Sequence, residues 1–273
     1  MTSVPQQFSL DKRTDAYWRI TFNNPPINLI NPETIQELSG IVDALEASQA
    51  LNVVVFDSTN PDFYMARYDL ARAAETPVSP GKTGLPMWID LTTRLSRLAA
   101  ISIACIRGRA RGAGSEFALA CDMRFASREK ALLGQPEVAA GVYPGGGAIE
   151  RLPDLVGRAR ALEIIVGSED YDADLAERYG WINRSIADAD LDGFVDQLAR
   201  RIASFERPPL VKAKQLLNRR TLPDKTDLVE SHDAFLTATR APSAMVRGGK
   251  ARALAKTVGL DFELRLGHYL GQI

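Results

Sequence analysis

The stretches GAGSE at residues 112–116 and GQPE at residues 134–137 decide the fold of this chain. Each ends on a glutamate beside a turn that glycine or proline makes possible. Acid–base chemistry at a carbon next to a carbonyl needs a base, an acid and N–H donors for an enolate oxygen. Glu116, Glu137 and the backbone of the first glycine turn offer these groups.

Each glutamate, read alone, also has an ordinary structural explanation. Glu116 falls in the first turn of a predicted apolar helix, where the helix dipole favours a carboxylate. Charge compensation and catalysis are therefore about equally supported there. Glu137 follows Gln135-Pro136, and a simple loop or helix-start carboxylate explains it somewhat better. The two glutamates together indicate catalysis more strongly than either one does alone.

Outward from these stretches, hydrophobic periodicity predicts strands that alternate with helices, followed by helices alone. The predicted strands are residues 18–22, 52–56, 102–106 and 123–126. The predicted helices begin at Asn31-Pro32, near Trp88, at Glu116, after residues 144–147 and repeatedly beyond Asp188. This order indicates an α/β fold with a helical C-terminal part. We predict a core over residues 1–200 and a helical region over residues 201–273.

Composition excludes several classes of function. The 273 residues are 45% apolar and 25% charged with a net charge of −1, which is typical of a soluble globular protein and argues against nucleic acid as a partner. No apolar run is long enough for a membrane span, and residues 1–11 do not resemble a secretory signal, so we expect a cytoplasmic protein. Cys105 and Cys121 are expected to be inert core thiols. Two histidines, His232 and His268, argue against a histidine metal site or a Ser-His-Asp triad.

Taken together, the ordered motifs resemble those of the crotonase (enoyl-CoA hydratase/isomerase) superfamily. Besides the two glutamate motifs, they are GVYPGGG at residues 141–147 with RLP at 151–153, and NPPIN at 24–28. The resemblance covers about residues 15–220. It implies a crotonase-like spiral of ββα turns, with a C-terminal helical region that builds a homotrimer, often paired into a dimer of trimers.

The same resemblance implies a role for individual residues. Glu116 and Glu137 match the paired catalytic glutamates of the hydratases. The N–H groups of Tyr68 and Ala113 match the two oxyanion donors, and Gly145 matches a glycine that helps hold the attacking water. The positions implied to bind substrate or CoA are Ala66, whose carbonyl would meet the adenine, Arg67, Asp69, Asn28 and Gly112. No metal and no cofactor are implied, apart from CoA as part of the thioester substrate.

This assignment predicts an enoyl-CoA hydratase. One glutamate activates water for attack at the β-carbon, and the other manages the proton at the α-carbon or shares the same water. Two glutamates favour hydration over isomerisation, for which the family usually needs one base. The open alternatives are an isomerase, a decarboxylase or a thioester hydrolase on the same scaffold, and a non-catalytic binding protein.

Several positions depart from the family pattern. Arg67 and Ala113 stand where the family has glycine, and residues 243–273 have no clear match. Arg67 is expected either to alter its loop or to point its charge at the ligand. Arg107, Arg109 and Arg111 are better explained by ion pairs than by CoA phosphates or an acyl carboxylate. The loop over residues 76–86 is expected near the site.

Overall fold

The structure, a computed structural model, describes residues 6–75 and 79–273. Residues 76–78 of the loop expected near the site lie outside these ranges. In chain order, the strands are β1 (Phe8–Thr14), β2 (Tyr17–Phe22), β3 (Val53–Ser58), β4 (Ile101–Ile106), β5 (Arg109–Arg111), β6 (Met123–Ser127), β7 (Leu132–Gly134), β8 (Asp170–Asp172) and β9 (Arg184–Ile186).

Helices fill most of the second half of the chain. In chain order, they are α1 (Pro32–Ala47), α2 (Met87–Arg97), α3 (Ala113–Ala120), α4 (Ala148–Val156), α5 (Arg158–Gly167), α6 (Ala173–Tyr179), α7 (Asp188–Ala203), α8 (Arg207–Thr221), α9 (Lys225–Thr239), α10 (Pro242–Val258), α11 (Leu260–Leu264) and α12 (Leu266–Leu270), with a 3₁₀ helix at Leu70–Glu75.

The larger sheet has the strand order β1-β2-β3-β4-β6-β9. β1 and β2 are antiparallel, and each later neighbour is parallel. Successive side chains of β3 point to opposite faces, as the strand period of two requires. Val54 and Phe56 join the main core, whereas Val53 and Val55 pack with the apolar residues of α7. The sheet is therefore covered on both faces.

The predicted α/β fold with a helical C-terminal part is confirmed, as are strands β2, β3, β4 and β6. Asn31 caps α1 as predicted, because its Oδ1 accepts the Thr34 N–H over 2.9 Å. The short strands β5, β7, β8 and β9 were not predicted; three residues carry too little periodicity to be recognised. β1 was missed because only its first residue is buried.

The two cysteines have the surroundings expected from the sequence. Cys105 and Cys121 are buried and unpaired, and burial raises the pKa of each thiol to about 12, as expected of core thiols.

The division at residue 200 stays a prediction, as does oligomerisation through residues 201–273. Among the helices in the described ranges, none combines the length and apolar character needed to cross a membrane.

Candidate active site

A small second sheet brings the two glutamate motifs together. Its order is β5-β7-β8, and β5 runs parallel to β7, so both strands end at the same edge. The Gly112 N–H donates to the Gly134 carbonyl over 3.0 Å at that edge. Glu116 follows β5 on the first turn of α3, and Glu137 follows β7. Two motifs some twenty residues apart therefore converge because parallel strands place their carboxyl ends side by side.

Glu116 is a buried carboxylate held by the backbone. The residue is 3% exposed, and its Oε1 accepts the Gly146 N–H over 2.7 Å and the Ala148 N–H over 3.4 Å. Burial raises the pKa of Glu116 to about 7, and these two backbone hydrogen bonds oppose the rise. A carboxyl group that titrates near neutral pH is suited to act as a general base.

Glu137 lies beside the Gly112 turn. A Cβ at Gly112 would lie 2.5 Å from Glu137 Oε1, and Gly112 has φ +49°, so only glycine fits there. Glu137 is half-buried, yet its Oε2 is enclosed without a hydrogen-bond partner in the part of the chain that the structure describes. Burial, and then the charge of Glu116, raise the pKa of Glu137 well above its usual value. The two carboxyl groups therefore titrate as an interacting pair in which burial favours the protonated form of each.

The glycine run at residues 145–147 forms the opposite wall. A Cβ at Gly146 would lie 2.2 Å from Glu116 Oε2 and 2.5 Å from Trp88 Nε1. A Cβ at Gly145 would lie 2.5 Å from Phe235 Cβ. Side chains at these positions would close the space that faces the carboxylate. The water-holding role expected of Gly145 stays a prediction.

The residues expected to donate to an oxyanion lie on adjacent segments. Residues 64–69 run beside β5, where the Arg111 N–H donates to the Ala66 carbonyl over 3.1 Å. A Cβ at Gly114 would lie 1.8 Å from the Met65 carbonyl oxygen, so α3 begins directly against this segment. Ala113 is the first residue of α3, and the N–H of that position has no intrahelical partner. The donor roles of Ala113 and Tyr68 stay predictions, as does the contact of Ala66 with adenine.

Asn28 and Asp69 support the segment over residues 64–69. Asn28 Nδ2 donates to the carbonyls of Phe63 and Tyr64, each over 3.0 Å, and the Asn28 carbonyl accepts the Ala66 N–H. Asp69 Oδ1 accepts the Ala71 N–H over 3.1 Å at the start of the 3₁₀ helix. Both side chains therefore hold backbone in place, and a contact of either one with substrate remains untested.

Arg67 is paired within the chain. Its Nε donates to Glu263 Oε2 over 3.1 Å and its Nη2 to Glu263 Oε1 over 2.5 Å, while Nη1 donates to the Tyr68 carbonyl over 3.1 Å. The φ of Arg67 is outside the left-handed region, so arginine is accommodated without strain. Glu263 compensates the charge of Arg67 within the chain. Direct binding of CoA by Arg67 stays a prediction.

The alternating arginines also have internal partners. Arg107 Nε pairs with Asp188 over 2.8 Å, and Arg111 Nε pairs with Asp170 over 2.6 Å. Arg109 Nε donates to the Leu264 carbonyl over 3.2 Å. The ion pairs expected from the sequence are present at Arg107 and Arg111. Arg109 instead donates mainly to backbone carbonyl groups.

Sequence reasoning missed three side chains around the glycine run: Trp88, His232 and Phe235. Trp88 comes from α2, and the other two come from α9, where His232 Nδ1 lies 3.2 Å from the Gly145 carbonyl oxygen. They reach the site through long-range packing, for which the sequence carries no spacing signal. Within residues 6–75 and 79–273, no cluster of three or more His, Cys, Asp or Glu side chains is placed to hold a metal ion.

Comparison with known proteins agrees with this geometry. A sequence model of the enoyl-CoA hydratase/isomerase family matches residues 13–251. The chain belongs to this family. It is 31% identical to a short-chain-enoyl-CoA hydratase of Clostridium acetobutylicum over 201 residues, which cover 73% of this chain and 77% of that protein.

The chain is also similar to solved structures. A Streptomyces avermitilis protein assigned as an enoyl-CoA hydratase has 41% identity and a TM-score of 0.93, covering 100% of this chain and 99% of that one. DspI of Pseudomonas aeruginosa has 28% identity and a TM-score of 0.71, covering 88% and 98%. The resemblance to the crotonase superfamily and the crotonase-like α/β fold are thereby confirmed.

Proposed function

We propose that this protein hydrates a 2-enoyl-CoA thioester to the 3-hydroxyacyl form. The observation that carries the proposal is the convergence of Glu116 and Glu137 at one edge of the small sheet, where the pKa of each is raised chiefly by burial. Hydration needs a base for water and an acid for carbon in the same site. Acyl-CoA is the expected substrate because the chain belongs to the enoyl-CoA hydratase/isomerase family.

Glu116 is the base in this proposal. Its Oε1 is occupied by backbone N–H groups, which stabilise the ionised form and leave Oε2 to accept a proton. Water attacks C3 of the enoyl group while Oε2 takes its proton, so that the C3–O bond forms and the π electrons move to the thioester oxygen. The N–H groups of Tyr68 and Ala113 stabilise the resulting enolate.

Glu137 is the acid. Burial, and then the nearby charge of Glu116, raise its pKa well above the usual value and so favour the protonated form that this role requires. When the enolate collapses, C2 takes the proton from Glu137 and the C=O bond of the thioester is restored. Glu116 then carries the proton of the water, and exchange with solvent returns the pair to its starting state. The net change is the addition of one water molecule.

The test is turnover of short and medium 2-enoyl-CoA thioesters, followed by loss of the conjugated enoyl-thioester absorbance. We expect Glu116→Gln and Glu137→Gln each to lower kcat by about 10²–10⁴-fold, the range for loss of one acid–base group. Glu37→Gln is the matched control, because Glu37 is also a half-buried carboxylate that accepts two backbone N–H groups, those of Gln7 and Phe8, but it lies on α1 and does not contribute to the raised pKa of either site glutamate. It should turn over substrate at close to the wild-type rate.

The alternatives give different results. Activity that survives loss of one glutamate would point to single-base chemistry such as isomerisation, with migration of the double bond as its product. Decarboxylation or thioester hydrolysis would appear as release of CO₂ or free CoA. A wild-type protein that neither turns over nor binds any acyl-CoA would support a non-catalytic role and contradict the proposal. Oligomeric state and cytoplasmic location remain predictions.

A further inference from the structure

Helix α11 of the C-terminal region touches both segments that carry the proposed oxyanion donors. Its Glu263 forms the two-pronged ion pair with Arg67, the residue before Tyr68. The Arg67 side chain is 24% exposed and that of Glu263 is 13% exposed, so the pair is largely shielded from solvent. A shielded, bidentate pair fixes geometry more firmly than an exposed one.

The second contact involves β5, which leads into Ala113. Arg111 Nη1 donates to the Glu263 carbonyl over 2.7 Å, and Arg109 Nε donates to the Leu264 carbonyl over 3.2 Å. Arg111 is 1% exposed and is itself fixed by Asp170, whose two carboxylate oxygens accept its Nε and Nη2 over 2.6 and 2.7 Å. One short helix therefore contacts the segment that precedes each proposed oxyanion donor.

α11 is in turn anchored to the body of the protein. Phe262, Leu266 and Leu270 are buried in a small apolar cluster that includes Ala139. A Cβ at Gly267 would lie 3.1 Å from the Asp170 N, so α12 packs closely on the backbone next to β8. The helix thus has fixed support from which to hold the two segments.

Two departures from the family pattern meet in this contact. Arg67 replaces the expected glycine in one oxyanion segment, and residues 243–273 lack a clear match to the family. The structure joins them through the Arg67–Glu263 pair, across 196 positions in sequence. The charge of Arg67 in one divergent segment is therefore paired by a residue of the other.

We infer that residues 260–264 form a brace that positions the oxyanion donors, with Arg67 and Glu263 as its positioning residues. This inference rests on the proposed function. In this inference the pair acts by fixing the backbone of Tyr68 relative to that of Ala113. Misplacement of such a donor lowers transition-state stabilisation more than substrate binding, so the effect belongs in kcat.

The first test compares Arg67→Met, Glu263→Gln and the double variant. Each single change should lower kcat about tenfold, because displacements near 1 Å cost up to about a hundredfold, with KM within about twofold of wild type. The double variant should lose no more than the worse single variant, since both changes remove the same interaction. If the losses in kcat of the two single variants multiply in the double variant, the inference is overturned. It is also overturned if only KM changes.

Glu46→Gln is the matched control. Glu46 accepts from Arg94 Nε and Nη2 over 2.9 and 2.7 Å, so the same substitution breaks another bidentate pair, one that joins α1 to α2 and includes no residue of 64–69 or 109–114. Its kcat should stay at the wild-type value. An equal loss in this control would mean that any ion-pair change disturbs the fold. A rise in kcat of Glu263→Gln would show instead that the released Arg67 binds the anionic intermediate.

A second test does not depend on turnover. Backbone amide hydrogen exchange should accelerate at residues 64–69 and 109–114 in Glu263→Gln but not in Glu46→Gln, because weaker bracing raises local opening. Unchanged exchange at both segments would refute the brace. If the wild-type protein hydrates no enoyl thioester, the proposed function fails, and the exchange measurement still decides whether the brace exists.

Discussion

Gly146 and Glu116 are matched to one another in the site. The Gly146 N–H donates to Glu116 Oε1 over 2.7 Å, and a Cβ at Gly146 would lie 2.2 Å from Glu116 Oε2. The glycine therefore stabilises the carboxylate through its backbone and leaves its reactive oxygen uncovered. No larger residue could do both without moving the glutamate.

Gly146→Ala should therefore impair catalysis without unfolding the protein. Gly146 does not require a positive φ, so alanine is compatible with its backbone. The added methyl group must displace Glu116 or Trp88, and we expect kcat to fall about a hundredfold. Gly193→Ala is the control, since a Cβ there meets nothing within 4 Å. Equal rates in the two variants would contradict this account of Gly146.

The dependence of kcat/KM on pH should report the ionisation of the two glutamates in the free enzyme. Because the pKa of Glu116 is about 7, kcat/KM should rise with pH until this base is ionised. It should fall again at higher pH, when Glu137, whose pKa is raised well above its usual value, loses its proton. Residual activity of Glu137→Gln should retain the rising limb near pH 7 and lack the falling one. An acid limb centred near pH 4.5, the usual carboxyl value, would show that Glu116 is not desolvated as the structure indicates.

Glu116 should also cost stability at neutral pH. Its pKa rises from about 4.5 unfolded to about 7 folded, so between these values the folded state retains a proton that the unfolded state has lost. Rising pH therefore destabilises the fold across this window, by about 3 kcal/mol in total. Glu116→Gln removes this pH-dependent loss of stability. The thermal midpoint of the variant should therefore exceed that of the wild-type protein by several degrees at about pH 8.

The measurement is thermal unfolding of both proteins at about pH 5 and about pH 8. The midpoint difference should be small at the lower pH and large at the higher one. Glu33→Gln should instead lower the midpoint by a similar amount at both pH values, because the Arg72 guanidinium holds the pKa of Glu33 below its usual 4.5 and the stabilising ionised form is already present at about pH 5. A pH-independent difference for Glu116→Gln would rule out buried charge as the cause.

Local patterns allowed the sequence to predict much of this molecule. The Asn31 cap, strands β2 to β4 and the α/β order follow from periodicity and turn residues within about fifteen positions. Glu116 and Glu137 could be selected because each lies beside its own turn. Their approach, however, depends on the parallel pairing of β5 with β7, and strands of three residues have no readable pattern.

Features that join distant positions could not be predicted. The pairing of Arg67 with Glu263 spans 196 positions, and either charge has many possible partners when only the sequence is known. Trp88 and Phe235 reach the glycine run from α2 and α9, which pack together only in the folded chain. Periodicity identifies these residues as apolar surface of a helix but does not say what that surface covers.

Trp88 is the last of these positions to yield a prediction. Its Nε1 is buried without a hydrogen-bond partner in residues 6–75 and 79–273, and it points to the place where Gly146 borders Glu116. A buried, unbonded N–H costs about 1–3 kcal/mol of stability. Trp88→Phe should relieve that cost, and it should also lower kcat/KM about tenfold because a donor beside the reacting carboxylate is lost.

Trp18→Phe provides the comparison that separates the two effects. Trp18 Nε1 is likewise buried without a partner in the described part of the chain, but it lies on β2, remote from the glutamates. Both variants remove an unbonded N–H and also replace a packed ring by a smaller one, so both should stay folded in thermal unfolding, and only Trp88→Phe should lose activity toward enoyl-CoA thioesters. Loss of activity in both would trace the effect to general packing, whereas full activity in Trp88→Phe would remove the indole N–H from the site.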